Sequence, residues 1–201
     1  MRTVIIRKLM KIKACKKAVS YARQQPNWQA AWDKCERGDW MLWLLGKLSG
    51  PSESKSRKKL VLTTCKCARL SLKYIPKKEK RPLVAIETAE KWARGEETLG
   101  NVKLAADAAY AAADAADAAA YASYAEAAAY ADAAYTAYAA YAAAYAANAS
   151  YADAADAAYA AAYAADASYA DAADAAEREK TLKQLSVIVK KMYPKAPKLM
   201  D

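Results

Sequence analysis

The chain has 201 residues, enough for one ordinary domain or two small ones, and it contains no histidine. Because histidine is the commonest general base and metal ligand, its absence disfavours most hydrolases and metalloenzymes. The net charge of +10 comes from the first half, since residues 1–100 hold 24 Lys/Arg against 9 Asp/Glu and residues 101–201 hold 8 against 13. A basic half favours an anionic partner such as nucleic acid, a nucleotide or an acidic protein, with a merely solubilising surface as the alternative.

Short amphipathic helices are predicted along residues 1–100. Apolar residues recur at helical spacing over residues 4–24, so one continuous first helix is expected there, ended by Pro26. Asn27 suits the N-cap of a second helix. Trp28 and Trp32 lie four residues apart on that helix and therefore share one of its faces.

The segment 40–45 is apolar almost all round, which is typical of a helix at the centre of a domain. Gly38 is expected to stop the preceding helix and Asp39 to cap this one. Further helices are predicted over residues 56–74 and 82–94. An exposed aromatic patch that grips a partner is the alternative to burial of the tryptophans. We expect three of them to lie in the core: Trp40, Trp43 and Trp92.

Two segments carry the densest positive charge and form the predicted ligand- or partner-binding site. One precedes and begins the helix near residue 56, and the other is a basic loop after Pro76. Exposed cations of this kind raise association rates and make affinity fall with salt. The predicted site residues are Lys55, Arg57, Lys58, Lys59, Lys77, Lys78, Lys80 and Arg81.

The second half contains a tract from residue 104 to residue 176 built almost only from Ala, Tyr, Asp and Ser. Alanine has the highest helix propensity, so the tract is predicted to be helical rather than disordered. One straight helix through it and the amphipathic tail would be about 135 Å long, whereas a compact domain of this size is about 45 Å across. Several helices are therefore expected, with possible breaks at Thr136, Asn148, Ser150 and Ser168.

The twelve tyrosines between residues 110 and 169 are predicted to supply packing that alanine cannot. The alternative is that some line a groove and stack on bases. Three pairs of aspartates lie three residues apart and are expected to form a solvated face, although such pairs are also able to do acid–base work or hold a cation. These pairs are Asp114 with Asp117, Asp153 with Asp156, and Asp171 with Asp174.

Cysteine usage and hydropathy indicate a cytoplasmic protein. The four cysteines have no zinc-binding spacing and no histidine beside them, so they are expected to be reduced, mostly buried thiols. The longest strongly apolar run is too short to span a bilayer, and residues 1–17 lack the pattern of a signal peptide. No cofactor and no metal site are predicted.

Several sequence blocks resemble a family of immunity proteins encoded beside bacterial polymorphic toxins and also in phage genomes, the immunity-protein-five-like group. The most specific are CERGDW at residues 35–40 and IETAEKWARGE at residues 86–96. Residues 14–18, 31–43, 65–70 and 81–82 resemble it too, and an Ala/Asp-rich helical half follows in that family. The resemblance implies binding and neutralisation of a toxin. This chain is more basic and richer in tyrosine than the family pattern.

Together these observations predict an all-α, multi-helix bundle with an Ala/Tyr/Asp-rich helical second half. Residues 1–100 and 101–201 are expected to pack together as one domain. The predicted function is non-catalytic: neutralisation or sequestration of a toxin, a defence-related protein or a small anionic ligand such as a nucleotide. The alternative is a nucleic-acid-binding protein that uses basic loops and tyrosine stacking. An enzyme is disfavoured because no phosphate loop, nucleophile elbow or metal-ligand spacing is present.

Overall fold

A computed structural model describes residues 2–122, 127–150, 156–167 and 175–199. Within these ranges every regular element is a helix, which confirms an all-α, multi-helix bundle. The elements are α1 (Arg2–Lys11), α2 (Lys16–Gln24), α3 (Trp28–Asp33), α4 (Gly38–Leu48), α5 (Lys55–Ala68), a 3₁₀ helix (Arg69–Tyr74), α6 (Arg81–Arg94), α7 (Leu99–Ala122), α8 (Ala127–Asn148), α9 (Asp156–Ala167) and α10 (Ala175–Met192).

The single first helix expected over residues 4–24 is wrong, because two helices occupy this segment. Lys13 has a φ of 62°, a left-handed conformation that costs about 1–2 kcal/mol for a residue with a Cβ and interrupts the helix. Cys15 then caps α2, accepting a hydrogen bond from the amide of Ala18 at 3.4 Å. The hydrophobic spacing continues across the break, so the pattern alone did not reveal it.

The assignments at Gly38 and Asp39 are also wrong. α3 ends at Asp33, and Gly38 is the first residue of α4 rather than a stop. A Cβ at Gly38 would lie 2.4 Å from the Cβ of Leu185, so glycine permits α4 and α10 to cross closely. Asp39 bonds Arg37 instead of capping the helix.

The alanine tract forms several helices, as predicted, and α8 packs against α5, α6, α7 and α9. Of the proposed breaks, Asn148 is the last residue of α8, whereas Thr136 lies inside it and donates its hydroxyl to the carbonyl of Tyr74 at 3.1 Å. Ser150 lies two residues beyond the end of α8, and Ser168 falls outside the described residues. Fully buried alanines allow close approach of the helix axes.

One hydrophobic core draws on both halves of the sequence. Leu42, Leu60 and Ile86 from the first half and Leu185 from the second are completely buried in it. Trp92 is 2% exposed, as predicted. Trp40 and Trp43 are also largely buried, as predicted, and pack at the edge of the core with part of each ring exposed.

An extended segment, residues 193–199, crosses α1 and α3; we call it the C-terminal strap. The indole N–H of Trp28 donates to the carbonyl of Pro197 at 2.8 Å, and that of Trp32 to the carbonyl of Tyr193 at 2.8 Å. The Gln29 amide accepts from the amide of Ala196 at 2.9 Å. The strap therefore binds the N-terminal helices through its backbone.

The backbones of α1, α2 and α3 approach one another but come near those of α4–α10 at few points. Side chains and the strap consequently join this N-terminal unit to the bundle. No helix among the described residues is both long enough and apolar enough to cross a membrane.

Candidate functional site

A cavity of about 330 Å³ lies where the N-terminal unit meets α4 and α9. We call it the tryptophan pocket. Its volume is at the lower end of the range for small-molecule sites, about 300–1,000 Å³. Its wall comprises Leu9, Lys13, Ala14, Cys15, Ala18, Tyr21, Ala22, Trp28, Ala31, Trp32, Cys35, Asp39, Trp40, Met41, Trp43, Leu44, Ala158, Tyr159 and Ala162.

Helical spacing explains how the tryptophans reach this cavity. Trp28 and Trp32 lie on one face of α3, and their N–H groups are satisfied by the strap. Their polar atoms are thus already bonded, and the rest of each indole offers carbon atoms to the pocket. Trp40 and Trp43 project from the first two turns of α4, where lining the cavity leaves them half-buried.

Apart from the exposed Lys13 and Cys15, the polar side chains of the wall are uncharged or ion-paired. The carboxylate of Asp39 accepts two hydrogen bonds from Arg37, at 2.8 Å and 2.5 Å, and this guanidinium lies 4.4 Å from the ring centroid of Trp40. Burial raises the pKa of Tyr21 to about 12, and its hydroxyl donates to the carbonyl of Ala31 at 3.0 Å. Burial also raises the pKa of the Cys35 thiol. Away from Lys13 and Cys15 the pocket is therefore apolar and aromatic near neutral pH.

A second cavity of about 350 Å³ adjoins the first and shares Tyr21, Cys35 and Trp40 with it. We call it the charged hollow. The remaining residues of its wall come from the α3–α4 connection and from α10: Lys34, Glu36, Arg37, Arg178, Glu179, Leu182 and Lys183.

Besides the Arg37–Asp39 pair, two further ion pairs involve residues of this hollow. Nε of Arg178 donates to Asp166 at 2.7 Å, and Nζ of Lys183 lies 3.1 Å from a carboxylate oxygen of Glu36. Lys34 is exposed, and no bond from its ammonium group to a described residue is present. Cationic donors thus surround the hollow beside the Trp40 ring.

The predicted basic site residues lie elsewhere, in two separate groups. Lys55, Arg57, Lys58 and Lys59 are in the first turns of α5, whereas Lys77, Lys78, Lys80 and Arg81 follow the 3₁₀ helix beyond its other end. The 14 residues of α5 are about 21 Å long, so the two groups do not converge on one ligand-sized site. Neither group lines the tryptophan pocket or the charged hollow.

Four of these eight residues make contacts within the protein. Arg57 donates to the carbonyls of Gly50 and Ala149 at 3.2 and 3.1 Å. Lys58 pairs with Glu53 at 2.9 Å, and Lys59 lies 4.3 Å from the ring centroid of Tyr193. The guanidinium of Arg81 bonds the carboxylate of Glu79, whose pKa it lowers to about 2. By contrast, Lys55, Lys77, Lys78 and Lys80 are exposed, and none of their four ammonium groups bonds a described residue.

Several tyrosines of the second half pack against one another, as expected for a structural role. Tyr145 stacks on Tyr163 with centroids 5.3 Å apart and meets Tyr110 edge-on at 5.4 Å. The hydroxyl of Tyr141 lies 2.9 Å from a carboxylate oxygen of Asp114 and 2.9 Å from one of Asp117, and its single proton is shared between these two acceptors. That aspartate pair is accordingly a hydrogen-bond acceptor, and the other two pairs include residues outside the described ranges.

The cysteines are free thiols, and Cys15 alone among the four is exposed. No cluster of three or more Cys, Asp or Glu side chains suited to a metal ion occurs in the described part of the chain.

The tryptophan pocket was not predicted from the sequence because its wall combines three separated segments. The spacing of Trp28 and Trp32 was the available signal.

In comparisons with known proteins, no protein-family model, no curated protein and no solved structure matches this chain.

Proposed function

We propose that this protein is a non-catalytic binding protein that sequesters a small ligand in the tryptophan pocket. The observation that carries the proposal is a ligand-sized cavity walled by four indoles and two tyrosine rings. Aromatic side chains supply large apolar contact areas, and concave apolar sites with few polar groups are the usual form of small-molecule sites.

The polar groups of the pocket support binding rather than catalysis. A general base needs a pKa near the working pH and a free lone pair. The phenol of Tyr21 and the thiol of Cys35 retain their protons because burial raises the pKa of both. The carboxylate of Asp39 is engaged by Arg37.

The resemblance of blocks such as CERGDW to immunity proteins supports a setting in which sequestration neutralises a toxin or a defence system. A pocket of about 330 Å³ suits a small molecule, or one apolar side chain of a protein partner. We favour the small molecule because three separate parts of the fold converge on the cavity wall. The nucleic-acid alternative is weaker, since tyrosine rings pack on one another and the basic residues form two distant groups.

The test uses N-phenyl-1-naphthylamine, a neutral aromatic probe that fluoresces in apolar sites and accepts excitation energy from tryptophan. We expect saturable binding of one probe per chain. Trp43→Ala removes about 40–60 Å² of ring contact, worth about 1–1.5 kcal/mol, so the probe should bind roughly tenfold more weakly. Tyr159→Ala, at a half-exposed wall position, should weaken binding by a smaller factor.

Leu104→Ala is the matched control, because Leu104 is 69% exposed and lies outside both cavities. Its probe affinity should equal that of the parent. Binding that is unchanged in Trp43→Ala and Tyr159→Ala, with both variants folded by circular dichroism, would show that the pocket is not a binding site.

A further inference from the structure

We infer that the ligand of this protein joins a planar aromatic group to an anionic group such as a phosphate, sulfonate or carboxylate. The inference rests on the proposed function and extends it to the charged hollow. The aromatic group would occupy the tryptophan pocket, and the anionic group would lie in the hollow beside it.

Continuity of the two cavities is the first argument. Tyr21, Cys35 and Trp40 belong to both walls. The rings of Tyr21 and Trp40 are in contact, with centroids 6.2 Å apart. A molecule lying against this ring pair therefore reaches the apolar wall on one side and the charged wall on the other.

The balance of donors and acceptors in the hollow is the second argument. Its wall carries the cations Lys34, Arg37, Arg178 and Lys183 against two carboxylates, Glu36 and Glu179. Asp39 and Asp166 accept hydrogen bonds from the two arginines, but some N–H donors of each guanidinium are not used in these bonds. Arg37 uses Nε and Nη2 on Asp39, and Arg178 uses Nε on Asp166. No bond to a described residue is present at Nη1 of Arg37 or at either Nη atom of Arg178.

The unused donors suit an anion. A guanidinium N–H bonded to an anionic oxygen is stronger than a neutral hydrogen bond. Lys34, whose ammonium group has no bond to a described residue, adds a further cation to the wall. A cationic ligand would find Glu36 already paired with Lys183 and Asp39 already paired with Arg37, which leaves Glu179 as the carboxylate of the wall without a bond to a described residue. The aromatic wall alone could attract a cation, and the experiment includes that outcome.

The experiment compares two probes that differ by one group. 8-Anilinonaphthalene-1-sulfonate is N-phenyl-1-naphthylamine with an added sulfonate. The full-length protein is titrated with each, and the affinity ratio of anionic to neutral probe is measured at low and high salt. We expect the ratio to exceed one and to fall as salt rises, because screening acts only on the charged probe.

The decisive variant is Lys34→Gln/Lys183→Gln, which removes two cations from the hollow. A unit charge at about 6 Å in water changes affinity about threefold, so the ratio should fall roughly tenfold at low salt, with the neutral probe unchanged. The matched control is Lys77→Gln/Lys78→Gln, which removes the same charge from the basic loop. Its ratio should stay at the parent value.

Three results would overturn the inference. The first is a ratio unaffected by Lys34→Gln/Lys183→Gln, and the second is an equal fall in the control. The third is tighter binding of 1-naphthylmethylammonium than of the sulfonate, which would assign the site to cations. In each case saturable binding of the neutral probe would leave the proposed function standing. Failure of the neutral probe to bind would refute the proposed function as well.

Discussion

Gly38 lies in the first turn of α4, where this helix crosses α10. A Cβ added there would meet the Cβ of Leu185 at 2.4 Å, the amide nitrogen of Ser186 at 2.8 Å and the carbonyl carbon of Leu185 at 2.9 Å. Two of these atoms belong to the backbone of α10 and one is a Cβ. None of them is able to rotate away, so Gly38→Ala requires one helix to shift.

Overpacking of this kind costs about 1–3 kcal/mol. Alanine gains up to about 1 kcal/mol over glycine in a helix interior, but less at a first helical position such as this one. We therefore expect Gly38→Ala to lower the free energy of unfolding by about 2 kcal/mol. For a chain of this length that lowers the melting temperature by about 4–8 °C. Because α4 and α10 both line the charged hollow, the anionic probe should bind more weakly as well.

The assay is urea unfolding followed by circular dichroism and by tryptophan emission. Gly100→Ala is the matched control, since its nearest neighbour is the hydroxyl oxygen of Thr98 at 3.9 Å, an ordinary contact. That variant should be as stable as the parent or up to about 1 kcal/mol more stable. If Gly38→Ala proved as stable as Gly100→Ala, the close crossing of α4 and α10 described here would be wrong.

Three further results are expected. Trp92→Ala should cost about 3–5 kcal/mol because its ring is buried, whereas half-buried Trp43→Ala should cost about half as much; equal unfolding midpoints would contradict this. The pKa of Tyr21 and that of Cys67 are each raised by burial to about 12, so the folded protein keeps protons that the unfolded chain loses. Stability should consequently fall as pH rises from about 9 to 12, and a urea midpoint constant over pH 8–11 would refute it. Iodoacetamide should label exposed Cys15 rapidly and the three buried thiols only on unfolding, as mass spectrometry of the native protein would show.

The fold class was predictable because the hydrophobic period was helical over nearly every segment. The alanine tract from residue 104 contains no Gly or Pro, so a helix was the expected structure for most of α7 and for α8 and α9. Boundaries were harder where they depend on tertiary contacts. The break at Lys13 leaves the apolar spacing unchanged, and Gly38 resembles a helix stop until the position of Leu185 is known.

The candidate site was less accessible to sequence reasoning than the fold. Residues 77–81 were predicted to bind a ligand because they carry dense positive charge. Basic residues that are dense in the sequence need not converge on one site in the folded protein. The tryptophan pocket needs side chains from α3, α4 and α9, and the partial exposure of Trp40 and Trp43 follows from that assembly. An apolar run such as residues 40–45 contains nothing that distinguishes a core face from a cavity wall.

The C-terminal strap also affects the order in which contacts form while the chain is being synthesised. Trp32 and Trp28 bond carbonyls that lie 161 and 169 residues further along the chain. At about 5–20 residues per second, a ribosome needs roughly 8–35 s to make that stretch. During this interval both indole N–H groups lack their acceptors. The hydrogen bonds that join α3 to the strap therefore form only after all the helices have been made.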